Sequence, residues 1–243
     1  MQTNCRPFKF ELLFKKFINR NVKIKISTQF KSQVKTRSNL SNSVLITVDV
    51  LRDTLDGQSL EIPGTSVVLP KIKILLDFYR KNNKPIVHIV RIYKADGSNV
   101  DLCRKESIQS GEKIFIENSL GSELAKELFD DDTVRNDSDL LLKGGVQEIT
   151  KNEVIIYKPR WGAFYKTPLE NHLKNLGVST LVFCGCNFPN CPRTSIYEAS
   201  ERDYKIALAE DAISGLYEQG KTELLNIGVV VETTKNIISL VTD

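Results

Sequence analysis

The sequence predicts an α/β protein with a doubly wound, mostly parallel, six-stranded sheet and helices on both faces. From Ser43 onward, short β-branched runs alternate with helical patterns, which implies right-handed crossovers between parallel strands. The runs are almost continuously apolar, as is typical of parallel strands that are covered on both faces. We expect strands at 44–49, 86–91, 153–158, 180–185, 205–210 and 228–231.

The expected helices are bounded by proline, glycine and capping residues. A helix over 69–82 ends before Pro85, because the residue preceding a proline disfavours helix. The run from Thr167 through Pro168 to Glu170 has the form of a capping box, and Gly177 ends the helix that it begins. Further helices are expected at about 192–202, 217–227 and 233–241.

The stretch 94–150 is less regular, with only one short expected helix at about 121–129. An irregular connection of this length usually has a function. We interpret it as a long excursion that walls a pocket or meets a partner subunit.

The positive charge of the chain is concentrated in residues 1–42. This segment holds ten Lys or Arg residues and one acid, Glu11, whereas the remaining 201 residues hold 24 basic and 29 acidic side chains. The segment therefore carries +9 and the rest −5. We predict a basic N-terminal extension over 1–42, either disordered or a targeting segment, and one domain over 43–243. The basic charge does not belong to the domain, so nucleic acid is not an expected partner.

Cysteine content and hydropathy indicate where in the cell the protein resides. The five cysteines are odd in number, and three of them fall within eight residues, which is unlike a secreted disulfide framework. A reducing compartment is expected. No apolar run approaches the roughly 20 residues that a membrane span needs. We predict a cytoplasmic location, or an organellar one if the basic segment is a transit peptide.

Three reactive side chains follow strands of the predicted sheet. Asp49 closes the first strand, Lys158 closes the third, and Cys191 follows the fourth after a short turn. Ligands bind beyond the carboxyl ends of parallel strands, so these side chains are expected to converge. Cys191 precedes Pro192, which suits the first turn of a helix, and a helix start and a nearby lysine both favour a thiolate. Together they form a nucleophile, a base and a cation for acyl transfer or amide hydrolysis. Taken singly, each has a structural alternative as a small core residue, a turn cap or a surface lysine.

Three sequence blocks resemble the signature blocks of the isochorismatase-like hydrolases. They occur in the family's order as VLITVDV, YKPRWGAFYKTPLE and VFCGCNFPNCPRTSIYEASERDYKIALAEDA. The resemblance implies a Rossmann-like three-layer fold, a homo-oligomer (dimer or tetramer) and a catalytic triad of Asp49, Lys158 and Cys191. It also implies a cis peptide bond between Cys186 and Asn187 that helps to build an oxyanion hole with Cys191.

The chain departs from the family pattern in three respects. The family's nicotinamidases bind a metal through an Asp and histidines after the second strand, and 91–97 contains no histidine. His88 and His172 are expected to be structural, so we predict no metal and no cofactor. Isochorismatases proper cleave a vinyl ether and do not need the cysteine. Lys166 occupies a position where the family often has glycine.

The resemblance and the missing histidines together imply a metal-independent cysteine hydrolase that acts on a small amide, N-carbamoyl or related carbonyl compound through a thioester-type intermediate. The alternatives are a catalytically silent binding or scaffold protein of the same fold and a vinyl-ether hydrolase. The candidate pocket residues are of three kinds. The aromatic side chains Trp161, Phe164 and Phe188 would line an apolar pocket, the arginines Arg160 and Arg193 suit a carboxylate, and Arg52, which follows Asp49, would close the pocket mouth.

Overall fold

The computed structural model of the chain describes residues 40–242. Most of the predicted basic extension, residues 1–39, lies outside the described residues. Leu40 is fully buried in the core, and its N–H group donates to the carbonyl of Leu240 at 3.3 Å. The domain therefore includes Leu40, three residues before the boundary that the sequence indicated.

The described residues form one seven-stranded sheet. In chain order, its strands are β1 (Ser43–Val48), β2 (Ile86–Val90), β3 (Val146–Thr150), β4 (Glu153–Tyr157), β5 (Thr180–Gly185), β6 (Lys205–Ile213) and β7 (Val230–Glu232). Their order across the sheet is β3-β4-β2-β1-β5-β6-β7, and all neighbours are parallel except β3 and β4. The doubly wound, mostly parallel prediction is confirmed.

The predicted number of six strands is wrong, because β3 was missed. This strand is an antiparallel edge strand with the sequence VQEIT, and none of its residues is fully buried. It lacks the continuous apolar run by which the other strands were recognised, since an edge strand is covered less completely. The last strand is also shorter than expected, over Val230–Glu232.

Helices cover both faces of the sheet. They are α1 (Thr65–Lys81), α2 (Lys105–Gln109), α3 (Ser138–Leu142), α4 (Leu169–Leu176), α5 (Cys191–Ser200), α6 (Glu218–Asn226) and α7 (Thr234–Thr242). Apolar side chains of α1 and α7 pack on one face, and those of α4, α5 and α6 pack on the other. The two core layers use alternate residues of the strands, for example Leu45 and Ile46 of β1. The three-layer arrangement follows from this alternation.

Two predicted helix starts differ from the structure. Helix α1 begins four residues earlier than expected, at Thr65, directly after Gly64 with φ 87°. Helix α4 begins at Leu169, and only half of the predicted capping box forms. The Thr167 hydroxyl accepts from the N–H of Leu169 at 3.3 Å, whereas the Glu170 carboxylate binds Lys174 and Arg202 instead.

The excursion over 94–150 contains more short helices than predicted. The single expected helix at 121–129 is replaced by two 3-10 turns, Leu120–Ser122 and Lys126–Leu128, and α2 and α3 were not foreseen. Within residues 40–242, no helix combines the length and apolar character needed to cross a membrane.

Candidate active site

The carboxyl ends of three strands deliver polar side chains to one point. Asp49 follows β1, Lys158 follows β4, and Cys191 is the first residue of α5, after the turn that leaves β5. The sheet changes winding direction between β1 and β5, where Val48 is in register with Gly185. A switch point of this kind opens a crevice beyond the strand ends. The side chains that the sequence grouped together therefore meet where parallel sheets bind ligands.

The ammonium group of Lys158 lies between the other two groups. Its Nζ is 2.7 Å from Asp49 Oδ2 and 3.2 Å from Cys191 Sγ, and it also donates to the carbonyl of Arg160 at 3.3 Å. All three side chains are buried, with Lys158 completely inaccessible. Burial strengthens the attraction between these charges because water does not screen them. The arrangement holds a carboxylate, an ammonium group and a thiol in mutual contact.

The backbone holds the Asp49 carboxylate at the strand end. Its N–H group still donates to the carbonyl of Ile89, in the manner of a strand residue, but its φ is 50°. This left-handed conformation is uncommon for a residue other than glycine and is found often at functional sites. Asp49 Oδ1 is buried and has no hydrogen-bond partner among residues 40–242. The carboxylate therefore has one oxygen on Lys158 and one available to accept a proton.

The turn that leads to Cys191 requires a glycine at its start. Gly185 has φ 122°, and a Cβ added there would lie 2.3 Å from the carbonyl oxygen of Val48. This close approach lets the N–H group of Cys186 donate to the same carbonyl at 2.8 Å. The peptide bond between Cys186 and Asn187 is trans, so the predicted cis bond is wrong. The positive φ of Gly185 turns the chain away from β5 without a cis bond. The N–H group of Cys186 already donates to the carbonyl of Val48 in β1.

The protonation state of Cys191 differs from the sequence-based expectation. Burial raises the pKa of the Cys191 thiol to about 11, and the negative charge of Asp49 acts in the same direction. Lys158 and Arg91 lower the pKa but do not compensate. Lys158 therefore acts on the pKa in the expected direction, but desolvation of the thiolate outweighs it and the net shift is upward. The resting group is a neutral thiol beside a carboxylate.

A small cavity opens onto the thiol. About 20 Å³ of it is open to the centre of a water molecule, which is room for one water. Both Asp49 and Cys191 line it, as do Asn187 and Trp161; the other lining residues are Thr54, Ile62, Arg91, Arg104, Phe115, Cys186 and Asn190. Because Arg104 and Phe115 belong to the 94–150 excursion, that segment does wall the pocket.

The three arginines that the sequence selected lie outside this cavity. Arg52 pairs with Asp132, and Arg193 pairs with Glu223 while contacting the hydroxyl of Tyr217. The Arg160 side chain is exposed and donates to backbone carbonyls of 99 and 159. Only the backbone carbonyl of Arg160 reaches the site, as an acceptor for Lys158.

Of the three aromatic candidates, one lines the cavity and two do not. Trp161 lines the cavity, whereas Phe164 and Phe188 are buried in the core layer under α4, α5 and α6. The Arg202 guanidinium packs over the Phe164 ring, 4.7 Å from its centroid. Lys166 is exposed, with its ammonium group over the Tyr165 ring. Its φ of 52° is a conformation that favours glycine, which fits the glycine that the family often has here.

The sequence reasoning missed Arg91, which directly follows β2. Its side chain is buried and lines the cavity. Its Nη1 donates to Asp101 Oδ2 at 2.5 Å and to the carbonyl of Pro159 at 3.1 Å. Its guanidinium carbon is 5.7 Å from the centre of the Trp161 ring. Arg91 occupies a strand end exactly as Asp49 and Lys158 do, so the same rule identifies it.

The donor groups at this site do not fit a metal centre. Residues 40–242 contain no group of three or more His, Cys, Asp or Glu side chains placed to hold a metal ion. The ring nitrogens of His88 lie 2.8 Å from Thr47 Oγ1 and 2.8 Å from Glu153 Oε1, inside the sheet. His172 is half-buried on α4, where desolvation lowers its pKa. Neither histidine lines the cavity that contains the thiol.

Comparison with known proteins places this geometry in a family. A model of the isochorismatase domain matches residues 43–235, so the chain belongs to the isochorismatase family. A probable inactive nicotinamidase of Arabidopsis thaliana is 26% identical over 200 residues, which cover 79% of this chain and 92% of that protein. The family identification made from the three sequence blocks is confirmed.

Solved structures share the fold. An isochorismatase family protein from Desulfovibrio vulgaris superimposes with a TM-score of 0.71 at 24% identity, covering 84% of this chain and 100% of that one. An N-carbamoylsarcosine amidase from Thermoplasma acidophilum superimposes with a TM-score of 0.61 at 19% identity, covering 79% of this chain and 96% of that one. At these identities, the likeness establishes the fold alone.

Proposed function

We propose that this chain is a cysteine hydrolase that cleaves the C–N bond of a small amide or N-carbamoyl compound, with Cys191 as the nucleophile. The main support is the Lys158 ammonium group, 2.7 Å from Asp49 Oδ2 and 3.2 Å from Cys191 Sγ. A thiol beside a base and a cation has the components that covalent acyl transfer requires. The amidase activity named for one structural relative supports the substrate class.

In the first step, Asp49 Oδ1 takes the thiol proton as Sγ attacks the carbonyl carbon. A thiolate is rare before substrate binds, because the pKa of Cys191 is raised to about 11. Proton transfer and attack are therefore concerted in our scheme. Lys158 contacts both Asp49 and Cys191, so it stabilises negative charge on either group as the charge moves. The N–H groups of Asn187 and Cys191 hold the oxyanion, since both residues line the cavity and a residue that begins a helix has no intrahelical acceptor.

In the second step, the tetrahedral intermediate expels its nitrogen. The C–N bond breaks, the protonated Asp49 gives its proton to the leaving amine or ammonia, and a thioester remains on Cys191. Water then attacks the thioester and gives a proton to Asp49. The C–S bond breaks, and the sulfur recovers the proton. The product is a carboxylic or carbamic acid, and the resting thiol and carboxylate are restored.

No step in this scheme uses a metal ion. The residue positions after β2, where the family's nicotinamidases place metal ligands, hold Arg91, Ile92 and Tyr93. Dialysis against EDTA should therefore leave turnover unchanged. A loss of activity that zinc or iron restores would contradict this part of the proposal.

Two other functions are alternatives to this proposal. A catalytically silent protein is favoured by the likeness to a probable inactive nicotinamidase and by the small size of the cavity. Vinyl-ether cleavage of the isochorismatase type would use the same pocket without the thiol. Both alternatives predict that Cys191 is dispensable for whatever turnover or binding is observed.

The test is a screen for ammonia release over amides and N-carbamoyl compounds, with esters as reporters. Cys191→Ala should abolish turnover. Cys103→Ser is the control, because Cys103 is exposed and absent from the cavity, and serine keeps a donor for Asp101. Intact-mass spectrometry of protein quenched during ester turnover should detect the thioester in the wild type only. If Cys191→Ala hydrolyses the same substrate at the wild-type rate, the nucleophile assignment is wrong.

We also propose that the protein is a homo-oligomer, either a dimer or a tetramer. Large apolar side chains are exposed on the isolated domain, notably Val67 (75% exposed) and Leu102 (87% exposed). Single exposed apolar side chains are normal on a protein surface, so the proposal rests mainly on the resemblance to a family whose members usually assemble into oligomers. Light scattering during size-exclusion chromatography measures the mass directly, and a monomer of 27.5 kDa would contradict the proposal.

A further inference from the structure

The segment that begins at Lys158 packs against the helix that carries Cys191. We call this segment, residues 158–167, the lysine loop. The N–H group of Lys158 donates to the carbonyl of Val90 in β2 at 3.0 Å, and its ammonium group donates to the Arg160 carbonyl at 3.3 Å. The sheet and the loop therefore fix Lys158, whereas Cys191 belongs to a different element, α5.

Ser195 joins the backbone of Cys191 to the lysine loop. It lies one turn after Cys191 on α5 and is fully buried. Its Oγ donates to the carbonyl of Cys191 at 2.7 Å and accepts from the N–H group of Ala163 at 3.0 Å. A hydroxyl has one proton and two lone pairs, so both bonds can form together. One side chain therefore links the candidate nucleophile to the loop that follows Lys158.

A second side chain on the same face of α5 also holds the loop. Glu198 accepts from the N–H group of Phe164 at 2.9 Å. A Cβ added to Gly162 would lie 2.2 Å from the Glu198 carboxylate, so this glycine lets the loop lie directly on the helix. Residues three and four apart share a helix face, which places Cys191, Ser195 and Glu198 in one row. The face of α5 that holds the lysine loop therefore begins at the nucleophile.

The bond from Ser195 to the Cys191 carbonyl is not by itself evidence of a role at the site. Serine and threonine often bond to the carbonyl four residues earlier in a helix. Thr194 does so with the Asn190 carbonyl at 3.0 Å, on a partly exposed side of α5. Ser195 differs in its second bond, to the N–H group of the fully buried Ala163. A buried N–H group that loses its acceptor is costly, so the loop should shift if the hydroxyl is removed.

We propose that Ser195 is a positioning residue that sets the approach of Lys158 Nζ to Cys191 Sγ. This inference rests on the proposed function and adds the group that holds the nucleophile helix at the lysine. Asp49 and Lys158 are both fixed by hydrogen bonds from their N–H groups to carbonyls of β2, so their 2.7 Å contact lies within the sheet. The 3.2 Å contact between Lys158 and Cys191 instead crosses from the sheet to α5. Ser195 ties these two sides together.

The labelling rate of Cys191 tests this inference without a substrate. Iodoacetamide reacts with the thiolate, and the positive charge of Lys158 acts to lower the pKa of the thiol. In Ser195→Ala, Lys158 should lie farther from the sulfur, so labelling of Cys191 at pH 9, resolved by peptide mass spectrometry, should slow by about threefold or more. A merely structural role predicts the opposite, because a loosened fold exposes a buried thiol and speeds its labelling. An unchanged or faster rate would overturn the inference.

Turnover of the best substrate from the amide screen gives a second measurement. The contact acts on the reacting thiol and not on substrate binding, so Ser195→Ala should lower kcat by about tenfold or more and leave KM within about threefold. Ser195→Thr keeps the hydroxyl and should restore most of kcat and of the labelling rate. Thr194→Ala is the matched control, because it removes a bond of the same kind from the same helix. A loss in KM alone, or equal losses in Ser195→Ala and Thr194→Ala, would overturn the inference.

Glu198→Ala keeps the inference testable if Ser195→Ala does not fold. Glu198 is half-buried, so its removal threatens the fold less, and loss of the acceptor for the Phe164 N–H group should also slow labelling of Cys191. Wild-type labelling in this variant would then overturn the inference. The proposed function fails separately: wild-type turnover in Cys191→Ala would overturn the nucleophile, while the labelling rates would still decide the role of Ser195.

Discussion

Lys158 Nζ lies 2.7 Å from Asp49 Oδ2 in an ion pair closed to solvent. Lys158 is 0% exposed along its side chain and Asp49 is 9% exposed. The pair between Lys174 and Glu170 has the same 2.7 Å separation, but its side chains are 64% and 37% exposed. The two pairs differ in burial at equal distance. Their energetic consequences should therefore differ, because removal of one partner strands a charge only where water cannot reach it.

Replacing Lys158 by methionine should destabilise the protein strongly. The substitution fills a similar volume but leaves Asp49 as a buried, uncompensated carboxylate. We expect the free energy of unfolding to fall by about 3–5 kcal/mol, as for other broken buried pairs, and turnover to be lost. Urea denaturation of wild type and variant measures the difference. Lys174→Met should leave the free energy of unfolding almost unchanged, and equal effects of the two substitutions would show that burial of the Asp49 pair has no energetic consequence.

Alkylation should reach Cys103 before Cys191. Cys103 is exposed, whereas Cys191 is buried and its pKa is raised to about 11. The raised pKa disfavours the thiolate of Cys191 at pH 7. Iodoacetamide labelling resolved by peptide mass spectrometry should therefore modify Cys103 before Cys191. The labelling rate of Cys191 should rise with pH up to about 11 and track inactivation. Rapid, selective labelling of Cys191 at pH 7 would show that substrate-free protein already holds a thiolate.

The parts of the site that depend on local sequence could be predicted, whereas those that depend on tertiary packing could not. Strand ends are set by local apolar runs, so Asp49, Lys158 and Cys191 could be placed at one edge from the sequence. Arg91 also follows a strand, so the same rule places it at this edge. The ionisation state of Cys191 could not be predicted, since it depends on how deeply the thiol is buried. That burial is completed by residues distant in sequence, such as Phe115.

The position at which the domain begins can be tested by shortening the chain. Leu40 is fully buried and hydrogen-bonded to Leu240, and the Asn42 side chain donates to the carbonyl of Gly177 at 3.0 Å. A chain that starts at Leu40 should keep the fold and its turnover. A chain that starts at Ser43 loses these contacts, so its free energy of unfolding should fall by roughly 1.5–3 kcal/mol, the amount gained by burying a leucine. Equal urea midpoints for the two shortened chains would show that Leu40 does not contribute.

The pH dependence of the free energy of unfolding should report on Glu153, the first residue of β4, at the end of the sheet opposite the thiol. Its carboxylate lies 2.8 Å from His88 Nε2 and 2.7 Å from Arg80 Nη2. Burial raises the pKa of Glu153, but the hydrogen bonds from His88 and Arg80 outweigh burial and hold the pKa at about 2, below the ordinary 4.5. The folded protein therefore binds this proton more weakly than the unfolded chain does. The stabilisation is fully present above pH 4.5 and is lost as the pH falls from 4.5 towards 2.

Glu153→Gln removes this linkage, so its effect should depend on pH. At pH 7 the variant should be less stable than the wild type by about 3 kcal/mol, the free energy equivalent of the pKa difference. Below pH 4.5 the wild type should lose this advantage, and the two urea denaturation curves should approach each other by pH 3. Glu170→Gln serves as the control, because Glu170 also binds a lysine and an arginine but lies at the surface. A stability difference between Glu153→Gln and wild type that stays constant from pH 7 to pH 3 would mean that Glu153 acts through packing and not through its charge.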